Sequence, residues 1–377
     1  DLAKDQKQKN NYTPNDLEAF WMPFTANRAF KKTPRMLVSA KGHYYTDETG
    51  RQLLDGFSGL WTSGLGHCHP RIVAAVQAQV ATLDYSMAFQ MGHPQAFELA
   101  EQVIRSGKHV ICEKPLATTV PQAQHLNDLA LANDVIATVP FVYRYHPSVR
   151  EARSRVSHLK EPLNLMHGFY LQDWLSRETT VNWRLDSTIG GPSRAFGDIG
   201  VHWCDLLEFV TGHRITHLNA QLMKVFQNRG EKFEIDTEDG ATMIFRTDKG
   251  AQGSLVLSQV SAGRKNKLWF SFESPSESFV FDQESPESLW IGGLASNQIV
   301  MRGVNEESTG AKSYSILPAG HPQGYQDCFN SFVSDTYRSI GGAEIEGLPN
   351  FKDGLRAAKL TEAVLTSAKT GNWVEIK

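Results

Sequence analysis

The sequence predicts an α/β fragment joined to an α+β domain, and three observations carry that prediction. Between about residues 98 and 142, apolar segments run helix, strand, helix, strand, the repeating unit of a parallel sheet. Further on, residues 238–245, 250–258, 267–273 and 279–282 alternate apolar and polar side chains with few helices between them, the pattern of a mostly antiparallel, open sheet with one covered face. Ahead of both, the first hundred residues read as a hairpin followed by one amphipathic helix.

A chain of 377 residues, 41% of them hydrophobic, can bury the cores of about two domains. Mean hydropathy of -0.35 fits a globular protein in water. The net charge of -3 and the pI near 6.5 leave no electrostatic footprint for nucleic acid or an anionic membrane. No apolar run approaches a membrane span and no signal peptide is visible, so a cytoplasmic location is expected. The four cysteines, Cys68, Cys112, Cys204 and Cys328, show neither CxxC nor Cys/His ligand spacing. Reduced thiols and no metal site are the expectation.

Taken in order, residues 36–40, 43–46 and 51–54 are short strands, with a turn at Asp47-Glu48-Thr49-Gly50. Pro70 opens a helix that sets Ile72, Val73, Val76 and Val80 on one side. The intervening Gly64-Leu65-Gly66 is no dinucleotide loop, because His69 stands at the third glycine position and no parallel strand leads into it. The spaced series Ala40-Lys41-Gly42, Asp47, Gly50, Leu54-Asp55, Trp61 and Gly66-His67-Cys68-His69-Pro70 resembles the amino-terminal part of the class III aminotransferases, over about residues 15–100. The omega-amino acid (beta-alanine) to pyruvate type is the nearest likeness. That resemblance implies pyridoxal phosphate (PLP) as cofactor and a role for Trp61 in shaping the substrate pocket; on residue type alone Trp61 is equally a core aromatic. The Schiff-base lysine, the acid for the pyridinium nitrogen and the phosphate cup belong downstream in such enzymes, and their pattern is not found after residue 100.

Residues 98–106 then form a helix, 109–112 a strand, 121–133 a helix and 135–142 a strand. Lys114 falls at the carboxyl end of the first of these strands, where open α/β sheets place their ligands. Pro115 after it is compatible with a cis bond that would fix the lysine's direction. Alone, Glu113-Lys114-Pro115 is equally a surface ion pair before a turn. A helix follows Pro147 to about residue 158, and a strand covers 163–170. The stretch from Gly197 to Gly212 is a helix on which Asp198, His202 and Asp205 share one face at i, i+4 and i+7, with Ile199, Trp203, Leu206 and Val210 on another. Such a stripe is either a site or a capped and paired structural face. The last helix, 351–370, turns Leu355, Leu360, Val364 and Leu365 inward.

Together Ser106-Gly107-Lys108-His109-Val110-Ile111-Cys112-Glu113-Lys114-Pro115-Leu116-Ala117, then Gly197-Asp198-Ile199-Gly200-Val201-His202 with Asp205, then Asp353-Gly354-Leu355 through Thr370-Gly371-Asn372-Trp373 resemble the Gfo/Idh/MocA oxidoreductases over roughly residues 102–377. The resemblance implies a Rossmann-like domain in front of the sheet domain, NAD or NADP as cofactor, a sugar or other polyhydroxy substrate, and a homo-oligomer formed through the carboxy-terminal sheet. It implies His202 as proton acceptor, Asp198 as its orienter or a substrate ligand, and Lys114 at the same hydroxyl. Glu113, Lys114, Pro115, Trp183 and Arg184 would meet the cofactor, and Tyr145 and Asp205 the substrate; Tyr145 and the Trp183-Arg184 pair are equally a packed aromatic and a surface cation. This family begins with a strand, a GxGxxG turn and an acidic residue, and no such fingerprint occurs in this chain.

The expected organisation is therefore an incomplete aminotransferase-like hairpin-helix segment (1–100), a truncated Rossmann-like parallel fragment (101–146) and a substrate and oligomerisation domain (147–377), with the seam within 95–106. Three functions follow: a nicotinamide-dependent oxidoreductase, a PLP-dependent aminotransferase, or a fusion of two incomplete enzymes. The first is the family label, and the missing fingerprint makes the chain, as it stands, an inactive example of it.

Overall fold

The computed structural model describes residues 25–32, 34, 36–56, 63, 65–82, 94–230, 233–303 and 308–376. It divides into two compact units, Asp1–Tyr85 and Ser86–Lys377.

In the first unit, α1 (Asn27–Lys32) precedes a three-stranded antiparallel sheet of β1 (Leu37–Lys41), β2 (Tyr44–Asp47) and β3 (Gln52–Leu54). The turn between β2 and β3 is built by Asp47, whose Oδ1 accepts from the backbone N–H of Thr49 and of Arg51, each at 3.0 Å. The helix opened by Pro70 is α2 (Pro70–Thr82). On its apolar side, Ile72 and Val76 are 46% and 53% exposed. Trp61 and most of residues 57–64 lie outside the described residues.

The second unit begins with α3 (Pro94–Arg105), β4 (Val110–Ile111), α4 (Val120–Ala132) and β5 (Ala137–Thr138). β4 and β5 are parallel, pairing Val110 with Ala137 and Ile111 with Thr138. Both strands are shorter than the sequence pattern suggested. At Thr138 the chain bridges to Asn350, and Val139 N–H donates to Pro349 O at 3.2 Å. Pro140 then has no N–H to continue a ladder, and Val142–Tyr145 wind into a 3₁₀ turn in place of the expected strand end.

Next come α5 (Pro147–Ser157), β6 (Leu165–Leu171), α6 (Ser187–Gly190) and α7 (Val201–Thr211). The strands β7 (Ile215–Met223), β8 (Asn228–Arg229), β9 (Phe233–Glu234), β10 (Gly240–Thr247), β11 (Gln252–Ser258), β12 (Lys267–Glu273), β13 (Glu277–Asp282), β14 (Ser288–Gly293) and β15 (Gln298–Met301) follow. The chain closes with α8 (Thr309–Lys312), α9 (Tyr325–Ile340), α10 (Phe351–Thr370) and β16 (Val374–Glu375). Nine strands form one sheet in the order β15-β14-β13-β12-β6-β11-β10-β7-β16, antiparallel throughout except where β6 runs parallel to β11.

Alternation along these strands buries one face, with Met166, Tyr170, Met243, Phe245, Leu255, Leu268 and Phe270 all at most 3% exposed. That face carries the apolar side of α7, whose Trp203, Leu206, Leu207 and Val210 are at most 2% exposed. Trp203 fixes the seat of α7: its Nε1 donates to Trp269 O at 2.9 Å across Gly168. A Cβ at Gly168 would lie 2.2 Å from Trp269 O and 2.4 Å from that Nε1, so only glycine admits the indole. α10 carries its capping box, with Asp353 Oδ2 accepting from Asn350 N–H, and buries Leu355, Leu360 and Val364 as the pattern predicts, whereas Leu365 is only half-buried.

Candidate functional site

The element that carries the candidate catalytic residues is not a uniform α-helix. Phe196–Gly200 is a π turn that continues into α7, so Asp198 sits in a widened turn and the simple i, i+4, i+7 stripe does not hold. Such turns recur at functional sites. Its start is held from outside: the Glu238 carboxylate accepts from Ser193 Oγ at 2.8 Å, Arg194 N–H at 3.1 Å and Phe196 N–H at 2.9 Å. Arg194 and Arg229 in turn share Asp239 Oδ1, all three side chains being fully buried. Gly200 lets this turn approach the sheet, since a Cβ there would meet Leu257 Cδ1 and Phe196 Cδ2 at 2.6 Å.

Into this frame comes Lys114, from the loop after β4 and next to a cis peptide bond at Pro115. Its Nζ donates to Asp198 Oδ1 and to the Asp198 carbonyl oxygen, both at 2.7 Å. Asp198 Oδ2 accepts from Gln259 Nε2 at 2.8 Å. Both carboxylate oxygens are thus engaged, and among the described residues no hydrogen bond joins Asp198 to His202. Burial pushes the Asp198 carboxyl up, but the Lys114 and Arg184 charges outweigh it and hold the group below its ordinary value. Lys114 has three donors, of which Asp198 takes two.

His202 is 8% exposed, with its ring edge-on to Tyr143 at 5.0 Å and to Phe141 at 5.6 Å. Burial, reinforced by the Lys114 charge, drives its pKa well below 6.5, so the imidazole is neutral at neutral pH. Its Nδ1 is buried and has no hydrogen-bond partner among the described residues. A neutral imidazole beside a lysine with a free N–H can take a proton from a hydroxyl while that N–H steadies the developing alkoxide.

Beside them lies a network that sequence reasoning missed. Tyr170 OH donates to Asn266 Oδ1 at 2.6 Å, Asn266 Nδ2 donates to Tyr143 OH at 3.1 Å, and the two phenols meet at 2.7 Å. That ring fixes the direction of every proton in it, with Tyr143 donating to Tyr170. Burial pushes the Tyr143 phenol up to about 12.

The remaining residues named from the sequence are dispersed. Tyr145 packs against Tyr314 and Phe332 in a separate apolar cluster with Cys328, and among the described residues no hydrogen bond or ring contact links it to Lys114 or His202. Asp205 accepts from Arg144 through both carboxylate oxygens, and Arg144 also reaches Asp353 at 3.1 Å. Burial pushes the Asp205 carboxyl up to about 6 against the pull of Arg144; its position makes it an anchor of α7 to the 3₁₀ turn and α10. Trp183 and Arg184 form a 3₁₀ turn in which Arg184 lies over the Trp183 ring at 4.7 Å, and Arg184 contributes to the field at Asp198. Glu113 is exposed and its Oε2 accepts from Lys114 N–H at 3.1 Å.

Among the described residues, the groups present suit the hydroxyl end of an alcohol oxidation and do not form a dinucleotide cradle. Pyrophosphate recognition needs a strand, a glycine turn and a helix amino-terminus in sequence. In the described parallel pair, the connection from β4 to α4 is a lysine-proline loop without glycine, and β5 leads into a 3₁₀ turn. The cleft beside Pro115, Thr118, Gly191, Ser193 and Gly197 has about 130 Å³, well under the roughly 300–1,000 Å³ typical of ligand pockets. A larger cavity of about 320 Å³ lies against α7 around Arg144, Asp205, Glu208 and Arg356, whose charges are paired with one another. Among the described residues no group of three or more His, Cys, Asp or Glu could hold a metal ion, and no helix is long and apolar enough to cross a membrane.

Comparison with known proteins finds two different families in this chain. The GFO/IDH/MocA C-terminal domain matches residues 162–274, and Aminotransferase class-III matches residues 25–114. Levoglucosan dehydrogenase of Pseudarthrobacter phenanthrenivorans is 29% identical over 305 residues, covering 74% of this chain and 76% of that protein. Glucose-6-phosphate 3-dehydrogenase of Bacillus subtilis is 31% identical over 270 residues, covering 70% and 74%. Beta-alanine–pyruvate aminotransferase of Pseudomonas aeruginosa is 53% identical over 88 residues, which are 23% of this chain and 20% of that enzyme. The structure of an inositol dehydrogenase homolog from Azotobacter vinelandii complexed with NAD+ superposes with a TM-score of 0.69 at 26% identity, covering 82% of this chain and 83% of that one. The chain therefore belongs to the GFO/IDH/MocA oxidoreductase family, and it carries ahead of the family's carboxy-terminal domain a segment of the class-III aminotransferases.

Proposed function

We propose that this chain is an NAD(P)-type sugar or polyol oxidoreductase that has kept its catalytic face and lost its dinucleotide cradle, and that it does not turn over as it stands. The observation that carries the reading is the pairing of Lys114 with Asp198 at 2.7 Å beside a buried, neutral His202, while the parallel sheet next to them is two strands of two residues. His202 is the proton acceptor, Lys114 the group that steadies the alkoxide, and Asp198 the counter-ion that holds Lys114. Trp183, Arg184, Glu113 and Pro115 flank the place where a nicotinamide would react. The ring of Tyr143, Tyr170 and Asn266 is a polar wall suited to a polyhydroxy substrate. Sugar and polyol dehydrogenases among the relatives support that substrate class.

The division of labour that fits is an aminotransferase-derived segment to about residue 100, a remnant of a Rossmann-like domain over 101–146, and a substrate domain from 147 onward. Leu165, Ile244 and Val256, 43 to 50% exposed on the uncovered sheet face, suit contact with a second copy of the chain. Aminotransferase chemistry is not assigned, because the matching segment spans about a fifth of the aminotransferase. The test is formation of reduced nicotinamide from NAD+ or NADP+ with a panel of sugars and cyclitols, followed by absorbance. No formation above the His202→Ala background is expected; turnover lost in that variant would contradict the reading.

A further inference from the structure

Gln259 stands just beyond β11 and is fully buried. Its Nε2 donates to Asp198 Oδ2 at 2.8 Å, which settles the amide's orientation, since the flipped form would oppose two acceptors. Gln259 Oε1 is buried and has no partner among the described residues. An apolar side chain of similar size would avoid that unfavourable burial, so packing is a poor reason for an amide here. The backbone of Gln259 is fixed as well: its N–H donates to Asp239 O at 2.9 Å and its carbonyl accepts from Leu175 N–H at 3.1 Å. Asp239 is the residue that also ties Arg194 at the entry of the π turn. Gln259 and Asp198 are therefore set by one frame.

We propose that Gln259 is a positioning residue that locks the Asp198 carboxylate onto Lys114, leaving the third Lys114 N–H and the unpaired His202 imidazole for the substrate hydroxyl. The carboxylate is gripped from two sides, by Lys114 on Oδ1 and by Gln259 on Oδ2. The other charged or titratable groups that act on it are Arg184, from the 3₁₀ turn, and His202, from α7. The inference rests on reading Lys114, Asp198 and His202 as the proton-transfer group, but its test needs neither cofactor nor turnover. A failure of the functional reading and a failure of this inference are therefore told apart.

The experiment follows the Asp198 carboxyl by NMR in the full chain carrying carbon-13 at its aspartate carboxyls, with the resonance assigned through Asp198→Asn. Gln259→Leu removes the donor, and Gln259→Met removes it at nearly unchanged length should the leucine variant not fold. Withdrawing a charge-assisted hydrogen bond from a buried carboxylate raises its midpoint by roughly one pH unit, roughly a tenfold loss of acidity. An Asp198 midpoint in the folded variant that coincides with that of the unaltered protein would overturn the proposal, because a residue that only fills space does not move it.

Discussion

The second unit contains two sheets that differ in what completes them. In the nine-stranded sheet every internal strand has a partner on both sides, Trp203 crosses Gly168 to seat α7, and the covered face is continuous with α10. β4 and β5 pair only two residues each, β4 has one neighbour among the described residues, and Ile111 on it is 40% exposed. A parallel sheet is normally covered on both faces and flanked by further strands. Asp198 and His202 are seated against the complete sheet, whereas Lys114 reaches Asp198 from the loop after β4, in the incomplete one.

Trp203→Ala, which empties the seat of α7, should cost about 3–5 kcal/mol of stability in denaturant unfolding, against less than about 1 kcal/mol for Ile111→Ala at the open strand. Equal losses at the two positions would break the comparison.

A smaller effect concerns pH. His146, stacked on Tyr143 with its Nε2 buried and unpaired, has its pKa pushed by burial down to about 4. His202 is shifted in the same direction. The unfolded chain takes up these protons near pH 6.5 while the folded state resists them, so their stability is full above pH 6.5 and is lost as pH falls toward the folded values. Asp198, held low, adds a loss that starts only below its ordinary value near 3.8. Asp205 opposes them: with its folded pKa raised to about 6, the folded state gains stability as pH falls from 6 toward 3.8. His146→Phe should therefore flatten the acid limb of the stability profile by roughly 2–3 kcal/mol between pH 6.5 and pH 4. An acid limb unchanged in that variant would show that His146 does not titrate with unfolding.

Much of this was legible in the sequence where the signal was local. Lys114 at a strand end, the apolar side of α7 and the last helix each follow from a motif or a period. The misses have a common physical origin in departures from regular periods. Tyr145 was named and Tyr143 was not; in the 3₁₀ turn beyond the expected strand the two diverge, Tyr143 to His202 and Tyr145 to Phe332. The π turn at Phe196–Gly200 removes Asp198 from the α-helical stripe, which left Asp205 looking like a site residue when it pairs with Arg144. Gln259 carries no local signal at all, since its role exists only once β11 is laid against the π turn. In β7, the register shift opposite Arg246 and Thr247 blurs the alternation that would have revealed the strand.

Whether the chain holds a dinucleotide is read by calorimetric titration of the full chain with NADH and with NADPH, taken to millimolar cofactor. A catalytic face without a dinucleotide cradle predicts no saturable heat with either. Saturable, stoichiometric binding of either cofactor would contradict it.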